Sequence, residues 1–233
     1  MTIAIVSAMH EELAAVLALM PDERRQLAGG REFWHGHLHG QEVIAVLSRI
    51  GKVAAATTAT ALIERFKVRE IVFTGVAGGL APGVQVGDVV VADSFLQHDL
   101  DASPIFPKYE VPLYGRSRFA SDAALTQRLA NAAVRALPGV PVHCGLVISG
   151  DRFVSTTAEA CALQGALPDA LAVEMEGAAI AQVCHDYGVP FAAVRTVSDR
   201  ADDAAHGDFT KFVQEVASAH SAAIVAEFLR TTS

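Results

Sequence analysis

The chain has 233 residues, 52% of them hydrophobic but only 6% aromatic, and a formal net charge of −8. That length suits one large domain whose core is built from Ala, Val, Ile and Leu, the residue set of a parallel or mixed sheet covered by helices. The acidic balance, with basic residues clustered no further than pairs such as Arg24–Arg25, argues against a nucleic-acid surface.

The sequence opens on Thr2-Ile3-Ala4-Ile5-Val6 with no basic leader, and it holds no uncharged apolar run of about 18 residues. Cys144, Cys161 and Cys184 form an odd set without C-x-x-C spacing, so neither a disulfide framework nor a structural zinc site is expected. These features predict a soluble, cytoplasmic protein with no membrane contact.

In chain order, residues 2–7 read as a buried strand and His10 to Met20 as a helix. Phe33–His39 and Glu42–Ser48 read as paired strands about a turn at Gly40-Gln41. Lys52–Phe66 is Ala- and Leu-rich and predicts a helix despite its threonines. Glu70–Thr74 and Asp88–Asp93 read as strands, with the glycine-rich stretch Gly75–Gly83 as a loop between them.

Residues 94–120 alternate Pro104, Pro107 and Pro112 with Phe106, Tyr109, Tyr114 and Phe119, the pattern of a functional or partner-pinned loop. Ser121 is expected to open a helix reaching about Ala136, with Asp122 in its first turn. Val142–Ser149, Ala170–Val173 and Phe191–Val197 read as strands. Thr157–Ala166, Glu176–Tyr187 and about Phe209–Leu229 read as helices. With no repeat or interior linker, residues 1–233 are expected to form one α/β domain, a mixed central sheet with helices on both faces.

Several polar residues fall at strand ends, where open α/β sheets bind ligands. Glu11 and Glu12 either complement a helix dipole or present a carboxylate at a strand edge. The Gly75–Gly83 stretch, including Val76, Ala77 and Gly78, matches neither G-x-G-x-x-G nor the P-loop and serves equally as a tight turn. Phe153 and Met175 read as core residues by base rate. Asp151 and Arg152 read as a surface pair. Glu174 and Glu176, two apart, share a face if extended, with Arg195 available as a buried partner. Asp199 after a strand has the placement of an N-cap. His98 with Asp99 and Asp101 reads as solvated loop charge, since no further His or Cys completes a metal set.

Seven blocks together resemble the 5′-methylthioadenosine/S-adenosylhomocysteine nucleosidase family of the nucleoside phosphorylase-like fold. They are Ile5-Val6-Ser7-Ala8-Met9-His10-Glu11-Glu12, Arg49-Ile50-Gly51-Lys52-Val53-Ala54-Ala55, Thr74-Gly75-Val76-Ala77-Gly78-Gly79-Leu80, Val86-Gly87-Asp88-Val89-Val90, Ile148-Ser149-Gly150-Asp151-Arg152-Phe153, Val173-Glu174-Met175-Glu176-Gly177 and Arg195-Thr196-Val197-Ser198-Asp199. They run in the family's order over nearly the whole chain.

The resemblance implies cofactor-free hydrolysis of the N-glycosidic bond of 5′-substituted adenosines, with no metal. Asp199 matches the general acid that protonates adenine N7, and Glu12 the general base for water. Glu176 and Met175 match the ribose-holding residues, and Glu176 with Arg195 also helps to seat the water. Phe153 matches the purine-stacking ring, Val154 the backbone that reads the purine edge, and Ser198 the residue orienting Asp199. Met9, Ile50 and Phe209 match the surroundings of the 5′ group.

Val76 departs from the Ser found in many members and implies a tuned rate rather than lost activity. The resemblance further implies a homodimer in which segment 102–115 completes the neighbour's 5′ pocket, although that segment departs from the family in length and content. A phosphate-dependent phosphorylase, a futalosine-type hydrolase and a non-catalytic nucleoside-binding protein are the competing readings.

Overall fold

The structure, a computed structural model, describes residues 2–203, 205, 212 and 216–231. The strands are β1 (Ile3–Ser7), β2 (Arg24–Ala28), β3 (Arg31–Leu38), β4 (Gln41–Leu47), β5 (Glu70–Gly79), β6 (Val89–Gln97), β7 (Arg118–Ala120), β8 (Val142–Ser149), β9 (Ala170–Glu174) and β10 (Phe191–Asp199). The helices are α1 (His10–Leu17), α2 (Lys52–Phe66), α3 (Ala123–Ala136), α4 (Thr157–Ala166), α5 (Gly177–Tyr187) and α6 (Ser218–Arg230).

The strands form one mixed sheet whose centre is β5. Its first half lies parallel between β1 (Ser7 beside Thr74) and β10 (Arg195 beside Gly75). Its last residues pair antiparallel with β9, Gly78 beside Val173 and Gly79 beside Ala172. Since β10 also pairs with β6, β6 with β8 and β8 with β9, these strands close on β5 as a ring. From β5 the sheet continues outward through β1, β4, β3 and β2.

Alternation along each strand feeds two cores, because successive side chains point to opposite faces. Ala4 and Val6 of β1 join Ala59 and Leu62 of α2 and Ile180 and Cys184 of α5. Ile3 and Ile5 join Leu13 of α1, Leu129 of α3 and Phe228 of α6 on the other face. A third cluster packs α4, through Ala160 and Leu163, on Leu146 and Ile148 of β8. No helix among the described residues is long and apolar enough to cross a membrane.

The structure departs from the sequence expectations at several elements. The glycine-rich stretch beginning at Gly75 is strand as far as Gly79, not loop, and only Leu80–Gly83 lie beyond it. Strands β2 and β7 were not expected: β2 is almost wholly exposed, so it lacks apolar alternation, and β7 has only 3 residues. Helix α1 ends at Leu17, short of Met20. Asp122 rather than Ser121 caps α3, accepting from Leu125 N–H at 2.8 Å. The expected helix from Phe209 is described only from Ser218 as α6.

Candidate active site

A cavity of about 360 Å³ opens beyond the ends of β1, β5 and β10 and at the β9–α5 junction. Its wall brings together Ala8, Met9, Ile50, Val76, Ala77, Gly78, Phe153, Val173, Glu174, Met175, Glu176, Ser198 and Asp199. A narrow extension adds Arg152 and Val154 beside Gly78 and Asp199. A second groove, of about 660 Å³, is lined in part by His10, Arg31 and Arg49.

Glu12 is fully buried rather than solvent-facing on its helix. One oxygen, Oε2, accepts from the N–H groups of Met9 (3.1 Å) and Ala8 (3.3 Å), reaching back over the start of α1 as a capping-box glutamate does. The other, Oε1, has no hydrogen-bond partner. Burial, offset only in part by the Arg195 charge and the two backbone donors, raises the Glu12 pKa to about 7.

Asp199 ends β10 and is 1% exposed. Ser198 Oγ donates to its Oδ2 at 2.8 Å, and Ala201 N–H donates to Oδ1 at 2.8 Å. The local turn is therefore closed by the carboxylate itself, an Asx-type arrangement.

Glu174 and Glu176 do not work as a matched pair. Glu174 ends β9, just ahead of α5, and accepts from the N–H groups of Gly177 (2.9 Å) and Glu176 (3.1 Å) and from the Ser149 hydroxyl. It also forms the buried ion pair with Arg195, Nη2 to Oε2 at 2.5 Å. Arg195 thus engages Glu174, not Glu176, and its guanidinium lies 3.7 Å above the centre of the Phe73 ring. Glu176 accepts from Gly51 N–H at 2.8 Å through Oε1. Burial first, and then the nearby Glu174 charge, push its pKa well above the ordinary carboxylate range.

The remaining expected residues fall on the rim or beside it. Phe153 is 40% exposed and Met175 half-buried, both on the cavity wall rather than in the core. Phe209 lies outside the described residues. Arg152 pairs with Glu159, and Asp151 instead accepts from Lys52 N–H at 2.7 Å. Asp99 is not free loop charge: it binds Lys52 Nζ at 2.5 Å and accepts from Asp151 N–H at 2.9 Å. His98 packs against Gly150, where a side chain would collide with its ring. Among the described residues no three His, Cys, Asp or Glu side chains are grouped to hold a metal. Sequence reasoning named Arg195 as a buried partner for the glutamates, and it pairs with Glu174, but it missed Ser149, which reaches Glu174 from the neighbouring strand β8.

Buried carboxylates around a mostly apolar cavity suit acid–base chemistry on a small, partly apolar ligand. The fold and this site define a member of the phosphorylase superfamily, whose family model matches residues 2–230. The chain is 38% identical over 230 residues to the 5′-methylthioadenosine/S-adenosylhomocysteine nucleosidase of Geobacillus thermodenitrificans, covering 98% of this chain and 96% of the relative. Identity to the enzyme of the same name from Shewanella denitrificans is 37%, with 98% and 99% covered.

The crystal structure of the Neisseria meningitidis nucleosidase in complex with methylthio-immucillin-A superposes with a TM-score of 0.94 at 38% identity, covering 99% of each chain. A futalosine hydrolase from Helicobacter pylori gives 0.91 at 33% identity, with 97% and 96% covered. The chain belongs to the 5′-methylthioadenosine/S-adenosylhomocysteine nucleosidase family and is an enzyme that hydrolyses nucleoside N-glycosidic bonds.

Proposed function

We propose that the enzyme hydrolyses 5′-methylthioadenosine, S-adenosylhomocysteine and 5′-deoxyadenosine, releasing adenine and the 5′-substituted ribose. The observation that carries this reading is the Glu12 carboxylate, buried, raised to about 7, and holding one oxygen free of any partner. A base so poised takes a proton near neutral pH. In the reaction, water oxygen bonds to C1′ as the C1′–N9 bond breaks. Glu12 accepts the water proton, and Asp199 gives its own proton to adenine N7.

The developing positive charge on the ribose is favoured by the surrounding carboxylates. Met175 and Glu176 hold the ribose hydroxyls, Phe153 stacks on the purine, and the Val154 backbone reads its edge. Ser198 orients Asp199 through the hydroxyl contact described above. Ala77 and Gly78 line the purine side, while Met9, Ile50 and Phe209 surround the 5′ group. Val76 offers the water no hydroxyl, which tunes the rate. Arg195 acts on the site through Glu174.

Against a phosphorylase, the cavity wall contains Glu174, Glu176 and Asp199 and, among the described residues, no Lys or Arg. A phosphate placed there would meet like charge. Adenine release in phosphate-free buffer tests the point, and strict phosphate dependence would overturn it. A futalosine substrate belongs in the same panel, given the futalosine hydrolase likeness. Asp199→Asn should lower kcat by about 10²–10⁴-fold if the aspartate is the general acid. Turnover within a few-fold of wild type would remove it from that role.

We also infer a homodimer. The expected partner segment 102–115 exposes Ile105 (83%) and Leu113 (90%), apolar side chains that association would cover.

A further inference from the structure

Two arginines beside the cavity carry charges that no carboxylate of the described residues balances. Arg31 on β3 is nine-tenths buried. It donates through Nε to Thr58 Oγ1 (2.6 Å), through Nη2 to Ala54 O (2.9 Å) and through Nη1 to Gly29 O (3.2 Å). Arg49 follows β4 with φ 67° and donates through Nη2 to Gly30 O at 2.6 Å. Among the described residues, neither guanidinium forms an ion pair with Asp or Glu. The two are close enough that, after burial, the Arg49 charge holds the Arg31 pKa below its ordinary value. Neutral carbonyl and hydroxyl acceptors satisfy their hydrogen bonds without cancelling their charge, so an anion is the missing complement.

Both arginines line the 660 Å³ groove. Groove and catalytic cavity meet along a wall built from consecutive residues. Met9 lines the cavity and His10 the groove; Ile50 lines the cavity and Arg49 the groove. Met9 and Ile50 are the side chains placed around the 5′ group. With the 5′ group placed as proposed, a short methylthio group would end at that wall, whereas a longer 5′ chain would continue past it to the arginines. Glu32 also borders the groove but is engaged by Arg25 at 2.8 Å.

We propose that Arg49, backed by Arg31, binds the carboxylate of a 5′-extended nucleoside in this groove, and so sets the enzyme's preference for S-adenosylhomocysteine over 5′-methylthioadenosine. This rests on the reading of the cavity as a site for 5′-substituted adenosines. Arg49 supplies a planar, permanently charged fork suited to a carboxylate, and binding there adds nothing at C1′. Its contribution therefore appears in KM for the carboxylate-bearing substrate.

The test is adenine release by the full-length enzyme and its R49A and R49K variants. The substrates are S-adenosylhomocysteine, 5′-methylthioadenosine and 5′-deoxy-5′-(3-aminopropylthio)adenosine, which is the homocysteinyl compound without its carboxylate. R49A should lower kcat/KM for S-adenosylhomocysteine by about tenfold, chiefly through KM. The two substrates lacking the carboxylate should be unaffected, and R49K should recover part of the loss.

The proposal is overturned if R49A slows S-adenosylhomocysteine and 5′-methylthioadenosine alike. It is equally overturned if the wild type handles S-adenosylhomocysteine no better than its decarboxylated analogue. Failure of the wild type to release adenine from 5′-methylthioadenosine would instead sink the underlying nucleosidase substrate assignment.

Discussion

Glu12 shows how one side chain couples chemistry to stability. Its folded-state pKa of about 7 stands above the ordinary 4.5. Between those values the folded chain binds more protons than the unfolded one, so stability falls as pH rises through that window and levels off above it. Glu12→Gln removes the ionisation, and its stability relative to wild type should rise by about 3 kcal/mol at most between pH 5 and pH 8. Urea denaturation at both pH values measures this, and an unchanged gap would refute the raised pKa. With Glu12 as the proposed base, the same ionisation predicts that wild-type kcat/KM climbs with pH through about 7 as it loses its proton. Little of this was legible locally: Glu11 and Glu12 look alike in sequence, yet Glu11 is exposed and Glu12 turns inward beneath Met9.

At the scale of elements, β5 explains both what sequence reading captured and what it misjudged. Helices α2 and α4 and strand β8 lie where local pattern places them, since Ala/Leu content and the Thr156 cap mark the helices and the apolar run Leu146-Val147-Ile148 marks the strand. The glycines that follow Thr74 look like a turn because glycine usually serves turns. Here they are required by close approach within a strand: a Cβ on Gly75 would collide with Arg195 Nη1 and sit 3.3 Å from Glu12 Oε1. Gly75→Ala should therefore push the guanidinium off Glu174, at a cost of about 1–3 kcal/mol. Thermal unfolding and adenine-release assays would check it; a fully active, equally stable variant would mean that Arg195 has room to move. The Glu174 hub was legible only in part: Arg195 stood out as a buried partner for the glutamates, whereas Ser149 meets Glu174 only through the strand order.

For the molecule as a whole, the helix layers on both sheet faces and the mixed sheet were foreseeable from the alternation of strand and helix patterns, but the ring closed on β5 was not. Which strands pair across long separations is a tertiary choice that no local window records. The exposed Ile105 and Leu113 bring a prediction about assembly. Sedimentation should show a dimer for the wild type, and Leu113→Asp combined with Ile105→Asp should shift it toward monomer with reduced activity. A wild-type monomer at micromolar concentration would refute the shared pocket.

The closure of β5 against β10 also sets when the enzyme becomes an enzyme. Gly75 and Arg195 are partners in register although most of the chain lies between them, and Glu12 and Asp199 come from its opposite ends. Pairings of such long sequence separation are entropically slow to form. Catalytic competence therefore has no local precursor: no nascent chain or refolding intermediate holding only the first half can cleave a nucleoside, and recovery of turnover after dilution from denaturant should trail the recovery of helical signal.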